Sequence, residues 1–421
     1  ICYAASWIFA RFGLYYLSGA ALFLAAGYLY VYDYRRSGNL IHLRGLFSCF
    51  WVGGQGAACL KLSKLQTDWA LQTWICFFLA LVGFWITFEV LDRLMGGNER
   101  FTMNRYRQRS TVRPLFFCIV GLTVISAAAF VTEAAVLGFI PVLVRGVPHA
   151  YSAFHMTGLH YVTVSCVLIP AMTVLYFEQG GSRSGRKNGL IVLCTLVSIA
   201  IPILCVSRFQ LVFAVILAVF TFCASQKNVS PWLFVAAVVA LIPCYVLLTV
   251  ARSHDVTYLN GIFEMKNSRM PIFVSQPYIY IANNYENFDC LVKALPAHTW
   301  GIRMLFPVWA LTGLKFLYPY LVSFPIYVDK TELTTVTLIY DAYYDFGIIG
   351  VLVFACILGA VCFFLVEKLR EMKNPMGYLF YGQMAIYMML SFFTTWFSNP
   401  TTWFYFLVTA VLTFYCSVSR R

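Results

Sequence analysis

The chain has 421 residues, of which 61% are hydrophobic, 18% aromatic and only 11% charged, and its formal net charge is +13. Ordinary soluble domains carry about 25% charged residues, so this composition excludes a soluble globular domain. Apolar runs long enough to cross a bilayer recur along the chain without the period-2 alternation of barrel strands. We therefore expect an all-α integral membrane protein, a polytopic bundle of transmembrane helices.

The apolar runs predict eleven membrane spans, or twelve if residues 1–12, which Arg11 interrupts, belong to a further helix. The spans are placed at 13–33, 45–60, 69–91, 114–136, 158–177, 189–206, 209–225, 231–251, 345–366, 377–397 and 401–418. Spans 1–8 fall in residues 1–251 and spans 9–11 in residues 345–421. Between them lies a large loop, 252–344, in which we expect short helices that fold back onto the bundle, because long ordered loops are usually functional.

Clusters of basic residues set the expected orientation. Arginines and lysines follow the first, third, fifth and ninth spans and close the chain, so alternating spans bring all of these clusters to one face. By the positive-inside rule that face is cytoplasmic. The C-terminus is then cytoplasmic and the 252–344 loop is extracytoplasmic. The positive net charge reflects this topology and attraction to anionic membrane lipids, and does not indicate nucleic acid as a partner.

Cysteine and histidine spacing gives no sign of a metal site or a cofactor. All cysteines except Cys290 lie in apolar stretches, and no C-x-x-C pair is present. Small buried hydrophobic residues in helices explain this usage. We therefore predict neither a metal nor a cofactor.

A few arginines on the expected outer face oppose the positive-inside bias. Arg208 follows Ser207 between two apolar runs with almost no loop, and Arg252 ends the eighth predicted span. An arginine at such a boundary is unfavourable unless it reaches the interface, forms an ion pair or faces a wet cavity. Several arginines converging on one outer cavity would instead suit phosphate oxygens. The full set is Arg145, Arg208, Arg252, Arg269 and Arg303.

Acidic residues on the same face are candidates for a general base. Glu133 lies near the outer end of the fourth span, and others lie in or beside the long loop. A buried carboxylate is able to serve as a base, whereas for most of these residues neutralising an arginine is the simpler role. The carboxylates of the loop region are Asp255, Glu286, Asp289, Asp329, Glu332, Asp341 and Asp345, and the weaker histidine candidates are His155, His160 and His254.

One late segment carries a family resemblance. The run IYDAYYDFGIIGVLVFACILGA (339–360) resembles the aspartate-phenylalanine-glycine motif that opens a late helix in O-antigen polymerases of the Wzy type, also called oligosaccharide repeat unit polymerases. The Ser207–Arg208 pair that opens a helix, and the segment from Glu133 to Pro141, fit the same layout. So does the long loop with YIYIANNYENF (278–288) and HTWGIR (298–303). The chain departs from the pattern at Thr334, where an asparagine is common.

The resemblance implies a fold similar to the GT-C class and a polymerase at the outer face of the bacterial cytoplasmic (inner) membrane. The donor would be a glycan on undecaprenyl pyrophosphate, the acceptor one lipid-linked repeat, and a chain-length regulator protein a possible partner. Under it, the pyrophosphate contacts are Arg208 and Arg252, with Arg269 and Arg303 secondary. The proton acceptor is Glu133 or Asp345, and the residues expected to contact sugars are Tyr278, Tyr280, Tyr285, Trp300 and His298.

Two other functions fit the layout. An O-antigen ligase shares the helix number and the large external loop, and differs by making a single transfer instead of a ladder of products. A transporter of lipid-linked sugars predicts polar residues at mid-membrane and helices broken in symmetric positions. The span centres here are apolar, and the polar residues gather at one face. The aspartate-phenylalanine-glycine motif favours the polymerase.

Overall fold

The computed structural model describes residues 1–95, 109–144, 150–226, 229–230, 232, 236, 239, 256–370 and 372–418. In these ranges the regular secondary structure is helical and no β-strand is formed; Ser63 and Met265 make an isolated antiparallel bridge. The expectation of an all-α chain is confirmed for this part of the protein. Most of the predicted span 231–251 lies outside the described residues, as do Arg145, Arg252, His254 and Asp255.

The helices follow the apolar runs of the sequence. In chain order they are α1 (Cys2–Arg11), α2 (Tyr15–Ser37), α3 (Leu43–Cys59), α4 (Leu71–Leu94), α5 (Val112–Leu137), α6 (Ala150–Ala153), α7 (Leu159–Val164), α8 (Ile169–Glu178), α9 (Gly185–Leu204), α10 (Arg208–Ser225), α11 (Val256–Phe263), α12 (Ile272–Ala294), α13 (Phe306–Leu311), α14 (Leu314–Leu317), α15 (Tyr340–Arg370), α16 (Met376–Met389) and α17 (Pro400–Val418). Short 3₁₀ turns occupy Arg109–Thr111, Pro141–Leu143, Ser165–Leu168, Pro319–Leu321 and Trp396–Ser398.

Within the described residues, seven helical segments are long and apolar enough to cross a membrane. They are Leu71–Leu94, Val112–Leu137, Leu159–Glu178, Gly185–Leu204, Arg208–Ser225, Tyr340–Leu369 and Pro400–Val418. These segments support a helical membrane protein. Three more predicted spans coincide with helices α2, α3 and α16, of which α3 has 17 residues and α16 only 14. The number of eleven spans and the GT-C likeness stay predictions.

The chain divides into two compact units. The first unit contains residues 1–101, 255–367 and 387–402. The second contains residues 102–254, 368–386 and 403–421. The predicted external loop therefore belongs, almost entirely, to the first unit.

Helices of the first unit approach each other through glycine. A Cβ atom placed on Gly19 of α2 would lie 2.8 Å from the carbonyl oxygen of Gly56 in α3. A Cβ on Gly359 of α15 would lie 2.5 Å from the carbonyl oxygen of Phe84 in α4. Small residues allow this close backbone contact, which is how apolar helices gain packing energy in a membrane.

Helix α12 lies inside the predicted external loop and is longer than the short helices expected there. Its buried face is polar: the Asn287 side-chain amide donates to the carbonyl oxygens of Leu333 and Thr335, each at 2.7 Å. The Asn287 side-chain oxygen accepts the backbone N–H of Asp329 at 2.9 Å. Helix α12 thus holds the loop segment that leads to α15.

The predicted span 377–397 is helical only as far as Met389. Beyond that point tertiary hydrogen bonds replace helical ones. The backbone N–H of Leu338 donates to the carbonyl oxygen of Ser391 at 3.0 Å. The side-chain amide of Asn284 donates to the carbonyl oxygen of Phe392 at 2.8 Å. The chain then enters α17 through the Trp396–Ser398 turn.

The second unit packs α17 against its neighbours with few polar contacts. The side-chain amide of Gln383 donates to the Thr409 hydroxyl at 2.7 Å, and the Tyr405 hydroxyl donates to the carbonyl oxygen of Val164 at 3.3 Å. Each pair joins two apolar helices. Buried polar groups in such positions are satisfied by one another.

Candidate functional site

The HTWGIR segment lies against the start of α15 in the first unit. The carboxylate of Asp345 accepts the backbone N–H of Met304 at 2.7 Å and that of Arg303 at 3.2 Å. It also accepts the hydroxyl of Thr299. The carbonyl oxygen of Asp345 accepts the backbone N–H of Trp300 at 3.2 Å. Asp345 therefore fixes the turn that presents Arg303, and both of its carboxylate oxygens are occupied.

Gly347, the glycine of the aspartate-phenylalanine-glycine motif, interrupts α15. Its backbone lies at φ 62° and ψ −146°, a conformation for which glycine is strongly favoured. A Cβ there would lie 3.0 Å from Nε2 of His298. The Nδ1 atom of that histidine lies 3.2 Å from the carbonyl oxygen of Tyr344. The two segments that carry the family resemblance thus meet, although 46 positions separate His298 from Tyr344.

Arg303 is held by one carboxylate and two aromatic rings. Its Nε atom donates to Asp341 in a close ion pair. The guanidinium carbon lies 4.5 Å from the ring centroid of Tyr344 and 5.3 Å from that of Tyr340. Burial lowers the pKa of Arg303, but Asp341 outweighs burial and leaves the pKa raised. The residue is a permanent cation in a fixed position.

A cavity of about 350 Å³ adjoins this ion pair. Arg303 and Asp341 line it together with polar and apolar side chains. The polar lining residues are Thr394, Thr395, Ser398 and Asn399, and the apolar lining residues are Phe306, Val322, Phe324, Ile326 and Pro400. We name this space the Arg303 cavity. Its volume falls within the range of small-molecule sites.

Asp341 also lines the Arg303 cavity, and the ion pair with Arg303 uses one of its two carboxylate oxygens, Oδ1. No hydrogen bond in the described part of the chain involves Oδ2 of Asp341. The cavity therefore offers a cation, a hydrogen-bond acceptor and several hydroxyl groups to one ligand.

The predicted sugar-binding residues fall into two groups. Tyr285 is fully buried and its hydroxyl donates to the carbonyl oxygen of Trp51 at 2.9 Å. Tyr278 is nearly buried and donates to Gln66 at 2.6 Å. These rings hold the first unit together and present no face to a sugar in this structure, which corrects their assignment as stacking platforms. Sugar contact stays a prediction for Tyr280, Trp300 and His298; Trp300 is 76% exposed.

Glu133 forms a separate polar cluster in the second unit. Its side chain is fully buried and accepts the Thr163 hydroxyl at 2.7 Å and the backbone N–H of Met156 at 3.1 Å. Nδ1 of His160 lies 3.2 Å from both of its oxygens. The rings of His160 and His155 lie 5.0 Å apart. A buried carboxylate is thereby paired and fixed in orientation.

Arg208 is the first residue of α10 and is 9% exposed. Val206, two residues earlier, has a left-handed φ of 54°, which turns the chain sharply into the helix. A cation at a helix N-terminus is disfavoured by the helix dipole, so its placement there is unusual.

The structure brings Arg303, Asp341 and Asp345 together in the first unit, and describes Glu133 and Arg208 in the second. Arg269 is exposed in the turn before α12, where its backbone N–H donates to the Asn267 side chain at 3.0 Å. The sequence analysis did not predict that the polar residues of segment 394–399 line a cavity with Arg303. Their only signal in the sequence is the polar SNPTT run (398–402) between two apolar stretches.

Comparison with known protein families, with characterised proteins and with solved structures finds no match to this chain.

Proposed function

We propose that this chain is a polysaccharide polymerase that joins oligosaccharide repeats carried on undecaprenyl pyrophosphate, at the outer face of the bacterial cytoplasmic membrane. The observation that carries the proposal is the Arg303 cavity. Its lining combines a fixed guanidinium with hydroxyl- and amide-bearing side chains and with apolar side chains. A lipid-linked sugar pyrophosphate has these same three chemical parts: an anion, a sugar and a hydrocarbon chain.

The reaction is a glycosyl transfer between two lipid-linked substrates. A hydroxyl oxygen of the acceptor sugar forms a bond to the anomeric carbon of the donor, and the bond from that carbon to the pyrophosphate oxygen breaks. Negative charge grows on the leaving pyrophosphate. We assign Arg303 to those oxygens, because a preorganised cation is most effective where charge develops in the transition state.

The proton of the attacking hydroxyl needs an acceptor. We assign it to Asp341, which lines the same cavity. Asp345 then acts as a positioning residue for the 299–304 turn. Arg208, Arg252 and Glu133 keep the roles that the family resemblance gives them, as pyrophosphate contacts and a second candidate base.

The test uses cells that lack their own polymerase but export lipid-linked repeats. Wild-type protein is expected to restore a ladder of glycan lengths on a gel. Arg303→Ala and Asp341→Asn, at matched expression, are expected to leave single repeats, with losses of about 10²-fold or more for the arginine. Lys266→Ala is the control, because it removes an exposed cation from the same unit outside the cavity.

Two results would redirect the proposal. A single transfer without a ladder would identify a ligase-type transferase. In cells that also lack their own exporter, lipid-linked repeats that reach the outer leaflet only when the protein is present would identify a transporter. A normal ladder from Arg303→Ala would remove the cavity from the mechanism.

A further inference from the structure

The ends of α2 and α4 carry a network of charged side chains unrelated to the Arg303 cavity. Glu89 accepts from three arginines: Arg44 at 2.9 Å, and Arg36 and Arg93 at 3.1 Å each. Arg36 also pairs with Asp92 at 2.6 Å, and Arg44 with Asp33 at the same distance. The three arginines and three carboxylates of this network balance in charge.

Arg44 is the buried centre of this network. It is 1% exposed, and its guanidinium carbon lies 4.1 Å from the ring centroid of Trp85 and 4.7 Å from that of Phe88. Its contacts with Asp33 and Glu89 join α2, α3 and α4. The network is therefore rigid, and the residues around it are presented in fixed positions.

An open cavity of about 620 Å³ lies beside the network. It is lined by Tyr28, Val31, Tyr32, Arg35 and Arg36 of α2 and by Glu89 of α4. We name it the Arg35 groove. Arg35 is exposed and has no ion-pair partner in the part of the chain that the structure describes. It therefore adds one uncompensated positive charge beside a network whose own charges balance.

The outer face of α2 changes in character toward this groove. Leu24 is 74% exposed, Tyr28 is 70% exposed, and Val31 and Arg35 continue the same face at helical spacing. In membrane helices, apolar residues face the acyl chains, tyrosines lie at the interface, and arginines reach the phosphate layer. Leu24, Tyr28 and Arg35 follow this order along α2. No other helix covers these side chains within the described residues.

We propose that the Arg35 groove binds one anionic glycerophospholipid. The phosphate would accept hydrogen bonds from Arg35 and from the hydroxyls of Tyr28 and Tyr32, and an acyl chain would lie along Val31 and Leu24. The net positive charge favours an anionic over a zwitterionic headgroup. The exposed apolar face below the groove favours a lipid over a soluble phosphate. The proposal is independent of the catalytic function.

The experiment is native mass spectrometry of the full chain in detergent, titrated with phosphatidylglycerol or phosphatidylcholine of the same acyl chains. For the wild type, the first phosphatidylglycerol is expected to bind about fivefold more tightly than the first phosphatidylcholine. This is the difference in affinity that one arginine contributes toward an anionic headgroup at the membrane surface. Arg35→Gln is expected to abolish that preference. Arg35 is exposed and makes no ion pair with the described residues, so this variant retains the fold.

Arg183→Gln is the matched control, because Arg183 is equally exposed but lies in the second unit. It is expected to leave the preference unchanged. Equal binding of the two lipids by the wild type, or an unchanged preference in Arg35→Gln, would overturn the proposal. Soluble glycerol phosphate that competes as well as phosphatidylglycerol would show that the groove recognises a phosphate without its lipid, and would equally overturn it.

Discussion

The ammonium group of Lys61 lies 2.7 Å from Oε1 of Glu286, in a buried part of the first unit. Nε1 of Trp69 donates to the same oxygen at 2.8 Å, and the backbone N–H of Thr67 donates to the other at 3.1 Å. The ammonium also lies 4.6 Å from the ring centroid of Trp69. This ion pair fixes the loop after α3 to the middle of α12.

The ion pair predicts a pH dependence of stability. Burial raises the pKa of Glu286 above its ordinary value of 4.5, against the lowering effect of Lys61. The folded protein then holds this proton more tightly than the unfolded chain, so its contribution to stability is greatest below pH 4.5 and declines as the pH rises through the raised pKa. Thermal unfolding in nanodiscs, followed by tryptophan fluorescence, measures this decline.

Glu286→Gln is expected to make the unfolding temperature less dependent on pH across that range, because the variant has no proton to release there. Glu332→Gln changes an exposed carboxylate and serves as the control. If Glu286→Gln kept the full pH slope of the wild type, another group would be responsible for it.

Gly347→Ala is expected to destabilise the first unit. The added methyl group would lie 3.0 Å from Nε2 of His298. The backbone conformation of Gly347 disfavours any side chain, and this strain costs about 1–3 kcal/mol of folding free energy. Gly27→Ala is the comparison, since Gly27 lies within α2 with open space around its Cβ position. That variant should match or slightly exceed wild-type stability. Equal unfolding temperatures for Gly347→Ala and wild type would contradict the assignment of strain.

Asn287→Leu tests the connection between α12 and the loop that follows it. The change leaves two carbonyl oxygens and the N–H of Asp329 without their partner, and each buried unpaired group costs about 1–3 kcal/mol. We expect faster limited proteolysis between residues 329 and 338. Thr331→Ala, at an exposed position of the same segment, should leave the cleavage rate unchanged. If Asn287→Leu were cleaved no faster than the wild type, contacts other than those of Asn287 would fix this loop.

Glu133→Ala should lower the stability of the second unit by about 1–3 kcal/mol for each donor left unpaired. The donors are Thr163, His160 and the backbone N–H of Met156. Glu133→Gln keeps one carbonyl acceptor and should unfold closer to the wild-type temperature. A ladder test on Glu133→Gln then separates chemistry from folding: loss of polymer from this folded variant would support a role in the reaction.

Apolar run length predicted the long helices well. The runs at 69–91, 114–136 and 189–206 correspond to α4, α5 and α9 within a few residues. Helix α12 was not predicted as a single long helix, because its buried residues include asparagines and acids whose partners lie in distant segments. Local hydrophobicity carries no information about such tertiary hydrogen bonds.

The candidate site was predictable only in part. The sequence singled out Arg303 and Asp345 as candidate site residues, and the structure joins both to the 299–304 turn. The sequence analysis gave neutralising an arginine as the simpler role for most of the loop carboxylates, and the structure pairs Asp341 with Arg303. The cavity residues at 394–399 come from a third segment. Bringing three distant segments together depends on the packing of whole helices, which residue spacing alone does not reveal.

The interruption at Gly347 also divides α15 by length. The stretch from Ile348 to Leu369 is roughly 33 Å long at 1.5 Å per residue, close to the hydrocarbon thickness of about 30 Å. The preceding turn, which carries Asp341 and Asp345, is therefore not needed for the helix to reach across the bilayer. The glycine separates the part of the helix whose length matches a bilayer from the part that carries Asp341 and Asp345.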